Sequence, residues 1–268
     1  MSVQDELPAF GALIIGDEIL SGRRADKHLA RLIELLGERG LALSWARYVG
    51  DDRARITREL REAFASGDVV FSFGGIGATP DDHTRQCAAA AVGVELHLHP
   101  EARLLIEQRI AEMAAEKGEP VDLQHPDNQR RLEMGCFPAG ARIIPNPYNR
   151  IPGFSVGRVH FVPGFPVMAW PMVAGVLDGD YASLRGRRAW LERAVLVFGT
   201  MEATLTPLME AVQARHPGVT VFSLPSVDHP LHGRHIELGV KGEPRATEAA
   251  FAWMQAELKR MKASFRTE

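Results

Sequence analysis

The sequence predicts an α/β fold: a sheet with helical crossovers between its strands, followed by a small α+β unit of βαββα order. Three observations predict it. Over residues 1–177, short apolar runs alternate with longer amphipathic ones. The apolar runs are continuous, as in strands buried on both faces. A polar stretch at 178–188, ending in Arg185-Gly186-Arg187-Arg188, then separates this pattern from a shorter one at 189–268.

Bulk properties agree. A chain of 268 residues, 46% hydrophobic and 24% charged, is long enough for two domains with real cores. A net charge of -3 creates no field that would draw the chain to nucleic acid or an anionic membrane. Cys87 and Cys136 form no CxxC pair, which speaks against a disulfide scaffold or zinc site and for a reducing compartment. The early apolar run at 10–15 is too short for a signal segment, and no run reaches transmembrane length. The expectation is a cytoplasmic protein with no membrane partner.

The elements follow in order. Residues 12–15 read as a first strand. Asp26 caps a helix reaching about residue 39, with Leu29, Leu32, Ile33 and Leu36 on one stripe and Gly40 beyond its end. Residues 41–49 read as the second strand. Asp51 or Asp52 caps a helix carrying Ile56, Leu60, Ala63 and Phe64, stopped by Gly67. The third strand, 69–73, runs into a glycine-rich loop, and helices follow over 84–91 and 100–116. Glycine, proline and asparagine then punctuate short strands at 141–144 and 159–162 before a helix at 166–177. The last part reads as strand 194–198, helix 205–215, strands 219–224 and 235–241, and helix 244–262.

The loop after the third strand, Gly74-Gly75-Ile76-Gly77-Ala78-Thr79-Pro80-Asp81-Asp82-His83-Thr84, carries the most chemistry. Glycines between a buried strand and a helix start let the backbone approach an anion, and helix amides supply donors. In an open α/β sheet, ligands bind at this edge. The spacing is neither GxGxxG nor GxxxxGK[ST], which disfavours a dinucleotide-binding or P-loop enzyme. Two carboxylates beside a phosphate would repel it. A divalent metal such as Mg²⁺ between them resolves the conflict. The first strand ends in Gly16-Asp17-Glu18 and the second in Gly50-Asp51-Asp52. Parallel strands would bring all of these acids to one edge. Taken singly, Asp51, Asp52, Asp81 and Asp82 are each explained as helix caps. Three glycine-acid turns in succession point instead to a site. Asp82 is the first candidate for chemistry and Asp51 the second, with Asp17 and Glu18 as further metal ligands beside Asp82.

At this point the residues resemble a family. Gly16-Asp17-Glu18-Ile19-Leu20-Ser21-Gly22, Val49-Gly50-Asp51-Asp52 and the loop at 74–84 look like the molybdopterin-binding Mog/MoaB fold, in its CinA-like subgroup. Pro138-Ala139-Gly140-Ala141, Pro145-Asn146-Pro147, Pro152-Gly153 and Pro163-Gly164-Phe165-Pro166 follow in the family's order. The match covers about residues 8–175, and the terminal unit resembles the KH-like middle domain of CinA-type proteins. The expectation is a member of the subgroup without its C-terminal deamidase domain. The resemblance implies a three-layer α/β/α Mog/MoaB-like domain with a mainly parallel sheet over 1–177, a small KH-like α+β domain over 189–268, and a homo-oligomer, dimer or trimer. It implies that Gly75, Gly77, Thr79, Asp82 and Thr84 surround the ligand phosphate, with Asp51 nearby, and that Gly74, Asp81, Asn146 and Gly164 also line the ligand. It implies a phosphorylated pterin or nucleotide as partner, with molybdopterin as the nominal ligand and a place in molybdenum cofactor biosynthesis. Some relatives are metal-dependent pyrophosphatases acting on ADP-ribose or a related dinucleotide.

Three departures stand out. Ala78 replaces the proline after the third glycine. Asn149-Arg150-Ile151-Pro152-Gly153 replaces Gly-Thr-Ala-Pro-Gly, removing a hydroxyl and adding a cation. Val167-Met168-Ala169 lacks the family's acid. These changes leave three readings open: a pterin or nucleotide binder, a metal-dependent pyrophosphatase, and a structural module that keeps the fold alone.

Other signals read as structural. Residues 153–157 spell GxSxG, but a strand follows where the nucleophile elbow needs a helix, so a hairpin is expected. His97 and His99 have no third ligand nearby, and His229, His232 and His235 read as loop residues. Gly199-Thr200-Met201-Glu202 stands where an RNA-binding KH domain carries GXXG, but lacks the second glycine and adds an acid. No nucleic-acid partner is expected.

Overall fold

The computed structural model describes residues 8–186 and 191–267. The expected domain limits at residues 1, 189 and 268, and the linker residues Arg187 and Arg188, lie outside the described residues. Chain contacts divide the molecule into two units, Met1–Arg185 and Gly186–Glu268.

The first unit is built on one six-stranded sheet. Strand β1 (Phe10–Ile15) lies between β2 (Leu43–Val49) and β3 (Val69–Phe73), parallel to both. Strand β8 (Val159–Val162) continues the parallel set beside β3, and β7 (Gly153–Val156) and β6 (Arg142–Ile144) close the sheet in antiparallel pairs. The sequence makes β1 a central strand because both of its faces are apolar. Phe10, Ala12 and Ile14 pack with α2 (His28–Gly37) and α7 (Pro166–Gly179) on one side. Leu13 and Ile15 pack with α3 (Arg53–Ser66) and α4 (Thr84–Val92) on the other. Two helical layers thus cover a mainly parallel sheet, as expected.

Helix ends follow local chemistry. Asp52 caps α3 by accepting from the Arg55 amide at 2.7 Å, and Gly67 ends that helix at φ 74°, a conformation that costs glycine little. Asp26 accepts from the amides of His28 and Leu29 and starts α2. Helix α5 (Pro100–Lys117) begins with proline in its first turn, as its sequence suggested.

Several elements escaped the sequence reading. A one-turn helix, α1 (Asp17–Leu20), directly follows β1. Helix α6 (Pro126–Glu133) and a small hairpin of β4 (Leu96–Leu98) with β5 (Cys136–Pro138) fill the stretch before β6. The letters GxSxG form the β7–β8 hairpin, as expected. The stretch read as a linker is folded through its first half. Helix α7 runs to Gly179, a 3-10 turn covers Ala182–Leu184, and Tyr181 is buried against Phe10.

The second unit holds β9 (Leu191–Phe198), α8 (Glu202–Arg215), β10 (Val219–His229), β11 (Gly233–Gly242), α9 (Pro244–Arg260) and β12 (Ser264–Thr267). Its sheet order is β10-β11-β9-β12, all antiparallel. The βαββα expectation therefore gains a final edge strand, whose mostly exposed residues give no apolar run to read. His229 and His235 also lie within a long hairpin, not in a loop. Pro225 is tolerated in β10 because that strand is an edge.

Candidate ligand site at the strand ends

The parallel register brings the ends of β1, β2 and β3 to one edge of the first unit. There the turns after β1 and β2 are laced together. The Asp17 amide donates to Asp51 Oδ2 at 2.9 Å, and the Asp51 amide donates to Asp17 Oδ1 at 3.2 Å. Gly50 makes this crossing possible, because a Cβ there would stand 2.4 Å from Asp17 Oδ1. Asp51 is thus a cross-strand tie, whereas Asp52 is the cap. Burial first, then the neighbouring Asp17, Glu18 and Asp81 carboxylates, push the Asp51 carboxyl above the usual range. The acids of all three turns therefore converge, as the strand ends suggested.

The glycine loop is organised from behind by the first turn of α4. The Thr84 hydroxyl donates to the Gly74 carbonyl at 3.1 Å, and the Thr84 amide donates to the Gly75 carbonyl at 2.9 Å. Arg85 Nη2 donates to the Gly77 carbonyl at 2.7 Å. Gly75 sits at φ 69°, and a Cβ there would stand 2.1 Å from Thr84 Oγ1, so only glycine fits. A trans peptide points its carbonyl and the next N–H in opposite directions. Pinning the carbonyls of Gly74, Gly75 and Gly77 to α4 therefore turns the amides of Gly75, Ile76 and Ala78 away from that helix. Among the described residues, the amides of Gly75, Ile76, Gly77 and Ala78 donate to no other group of the chain. Successive unpaired amides next to a helix N-terminus form an anion-accepting concavity.

The predicted site residues divide between this run of amides and its frame. Gly74, Gly75 and Gly77 form the loop itself. Thr84 is fully buried and acts on the loop through the two glycine carbonyls. Thr79 and Asp82 face each other: Asp82 Oδ2 accepts from the Thr79 amide at 2.9 Å and from the Thr79 hydroxyl. Neither Asp81 nor Asp82 caps α4, whose capping position is His83. Gly164 lies beside Gly74, with its virtual Cβ 3.5 Å from the Gly74 Cα. Asn146 is buried and spent on its own loop, donating to Asn149 Oδ1 and the Ile151 carbonyl and accepting from the Tyr148 amide. Arg150, in the altered segment, adopts φ 64° and pairs with Glu112 at 2.7 Å.

One oxygen of each strand-end carboxylate is engaged within the chain: Asp82 Oδ2 by Thr79, and Asp17 Oδ1 and Asp51 Oδ2 by each other's amides. Among the described residues, no three His, Cys, Asp or Glu form a group that could hold a metal ion. No reaction step is therefore assigned to one.

Two framing residues were missed by the sequence reading. Arg85 was one, although a cation on the inward side of a small-residue helix turn (Thr84, Cys87, Ala88) was a signal. His28 was the other. Its ring stacks on Phe73 at 4.6 Å, and its Nε2 lies 3.0 Å from the Gly164 carbonyl oxygen. Burial lowers its pKa, so it joins α2 to the Gly164 turn as a neutral ring.

This fold and edge define a class: an α/β domain that presents backbone amides and acids at the ends of parallel strands. Residues 11–181 match the family described as "Probable molybdopterin binding domain", and the chain belongs to that family. A protein of Pyrobaculum calidifontis is 29% identical over 266 residues, covering 97% of this chain and 98% of its own. A CinA-like protein of Syntrophotalea carbinolica is 32% identical over 212 residues, covering 75% of this chain and 49% of its own. A CinA-like protein of Anaeromyxobacter sp. is 36% identical over 159 residues, 58% of this chain and 36% of its own. The chain thus spans less than half the length of these CinA-like relatives. The solved structure of a CinA protein of unknown function from Thermoplasma acidophilum superposes with a TM-score of 0.53 at 28% identity, covering 64% of this chain and 96% of that one. The expected likeness to CinA-like members of the Mog/MoaB type is borne out. Among the described residues, no helix is long and apolar enough to cross a membrane.

Proposed function

We propose that the first unit binds the phosphate group of a small molecule, a phosphorylated pterin of the molybdopterin type or a nucleotide, at the strand-end edge. The observation that carries this reading is the run of amides at Gly75, Ile76, Gly77 and Ala78, turned from α4 and given no acceptor by the chain. Amides that no group of the chain engages are free to bond a ligand, and an anionic oxygen makes the stronger, charge-assisted bond. The family match supports a pterin as the organic part. Thermal melts with inorganic pyrophosphate, ADP-ribose and a molybdopterin preparation test it. A bound ligand at about one hundred times its Kd adds about 2.7 kcal/mol of stability. No shift with any of the three sinks the reading.

Asp51 favours a second reading, a nucleotide pyrophosphatase acting on ADP-ribose or a related dinucleotide. A carboxyl held above its ordinary range by burial and three acidic neighbours is suited to proton transfer. Product analysis separates the two. AMP released from ADP-ribose or FAD with Mg²⁺, Mn²⁺ or Co²⁺, and lost in Asp82→Asn, establishes turnover; binding without AMP leaves a carrier or biosynthetic role.

A further inference from the structure

The loop's third pinned carbonyl is held by a residue outside the family expectations. Arg85 is 5% exposed. One arm of its guanidinium, Nη2, holds the Gly77 carbonyl, and the other, Nη1, holds the Glu133 carbonyl at the end of α6. Its Nε is buried without a partner. Among the described residues it forms no ion pair, although Asp82, Glu133 and Cys136 lie close enough to act on it through space. A guanidinium is always charged, and a buried charge held only by neutral carbonyls is electrostatically incomplete.

Two consequences follow. Holding the Gly77 carbonyl turns the next amide, that of Ala78, away from Arg85 and onto the outer side of the loop. The charge also sits directly behind the amides, where burial weakens solvent screening. A merely structural arginine could bridge α6 to the loop in the same way, so the two roles must be separated by the anion itself.

We propose that Arg85 is the positioning residue of the phosphate cradle, aiming the Ala78 amide and supplying the positive charge that an anionic phosphate completes. This rests on the phosphate-binding reading above. It adds that the cradle prefers highly charged anions, through a residue that never touches them.

The probe is inorganic pyrophosphate, titrated calorimetrically into the full chain at low and at moderate NaCl. Arg85→Gln keeps a donor and removes the charge, so its affinity is expected to fall by about thirtyfold or more, with a flatter salt dependence. Arg85→Lys keeps the charge and releases one carbonyl, so its affinity falls only about three- to tenfold and the wild-type salt dependence stays. A structural bridge alone would lower the melting temperature of both variants and leave the salt dependence of the folded protein unmoved. Wild-type affinity and salt dependence in Arg85→Gln overturn the proposal, as does Arg85→Lys binding no better than Arg85→Gln. Should Arg85→Gln not fold, Arg85→Lys decides, and unchanged affinity there overturns the proposal. Absence of pyrophosphate binding by the wild type is a different failure, because it overturns the phosphate-site reading itself.

Discussion

Asp17 and Asp51 each accept the backbone amide of the other, at 3.2 and 2.9 Å, although 34 residues separate them. Their strands are parallel neighbours, so the crossing locks two strand ends into one edge. Asp51→Ala leaves the Asp17 amide without its acceptor and is expected to destabilise the protein by about 1–2 kcal/mol. Asp17→Ala together with Asp51→Ala should cost less than the sum, because breaking either tie already loosens the turn that holds the other. Urea denaturation of the two single variants and the double variant checks this. Strict additivity would mean that the two ties act independently.

A second prediction concerns pH. Ser155, His160 and Tyr181 form a buried chain: Ser155 Oγ lies 2.8 Å from His160 Nδ1, and His160 Nε2 lies 2.7 Å from the Tyr181 hydroxyl. Burial lowers the His160 pKa from 6.5 to about 4. A histidine whose folded pKa is depressed binds protons more readily when unfolded. Its contribution is therefore full above pH 6.5 and is lost as pH falls towards about 4. The loss is on the order of 3 kcal/mol. Unfolding free energies measured across this window should fall with acidification in the wild type and flatten in His160→Gln. Equal slopes would show that His160 takes up its proton in the folded protein as readily as in the unfolded chain.

Gly75 tests the frame of the loop. Alanine there meets Thr84 Oγ1 at 2.1 Å and must hold φ 69°. Gly75→Ala is expected to cost roughly 1–3 kcal/mol and to weaken pyrophosphate binding. Adding Thr84→Ala removes the clashing oxygen but not the backbone strain, so it should restore stability only in part. Full restoration would place the whole effect in the clash. Melting temperatures of the single and double variants decide.

The sequence made the sheet legible because each central strand is apolar on both faces, and the strand-end acids followed from parallel register alone. The ordered motifs identified the family because they keep the turns that build the edge. What each acid does at that edge was not legible. Asp51 and Asp52 are adjacent and chemically identical, yet one ties two strands and the other caps α3. Asp82 was the leading candidate for chemistry, but its carboxylate faces Thr79, three residues earlier. A short polar turn offers such local bonds as readily as a ligand does. Helix α6 carries no buried residue, so no apolar stripe announced it. Arg85 escaped because buried arginines are rare, so a cation beside small residues reads first as a solvated one.

The most direct test of the phosphate cradle is a ¹H–¹⁵N spectrum of the full chain during titration with inorganic pyrophosphate. The amides of Gly75, Ile76, Gly77 and Ala78 should move downfield together and saturate with a common affinity. Saturable binding that leaves these four amides unmoved and shifts others would contradict the account, because the anion would then sit elsewhere on the protein.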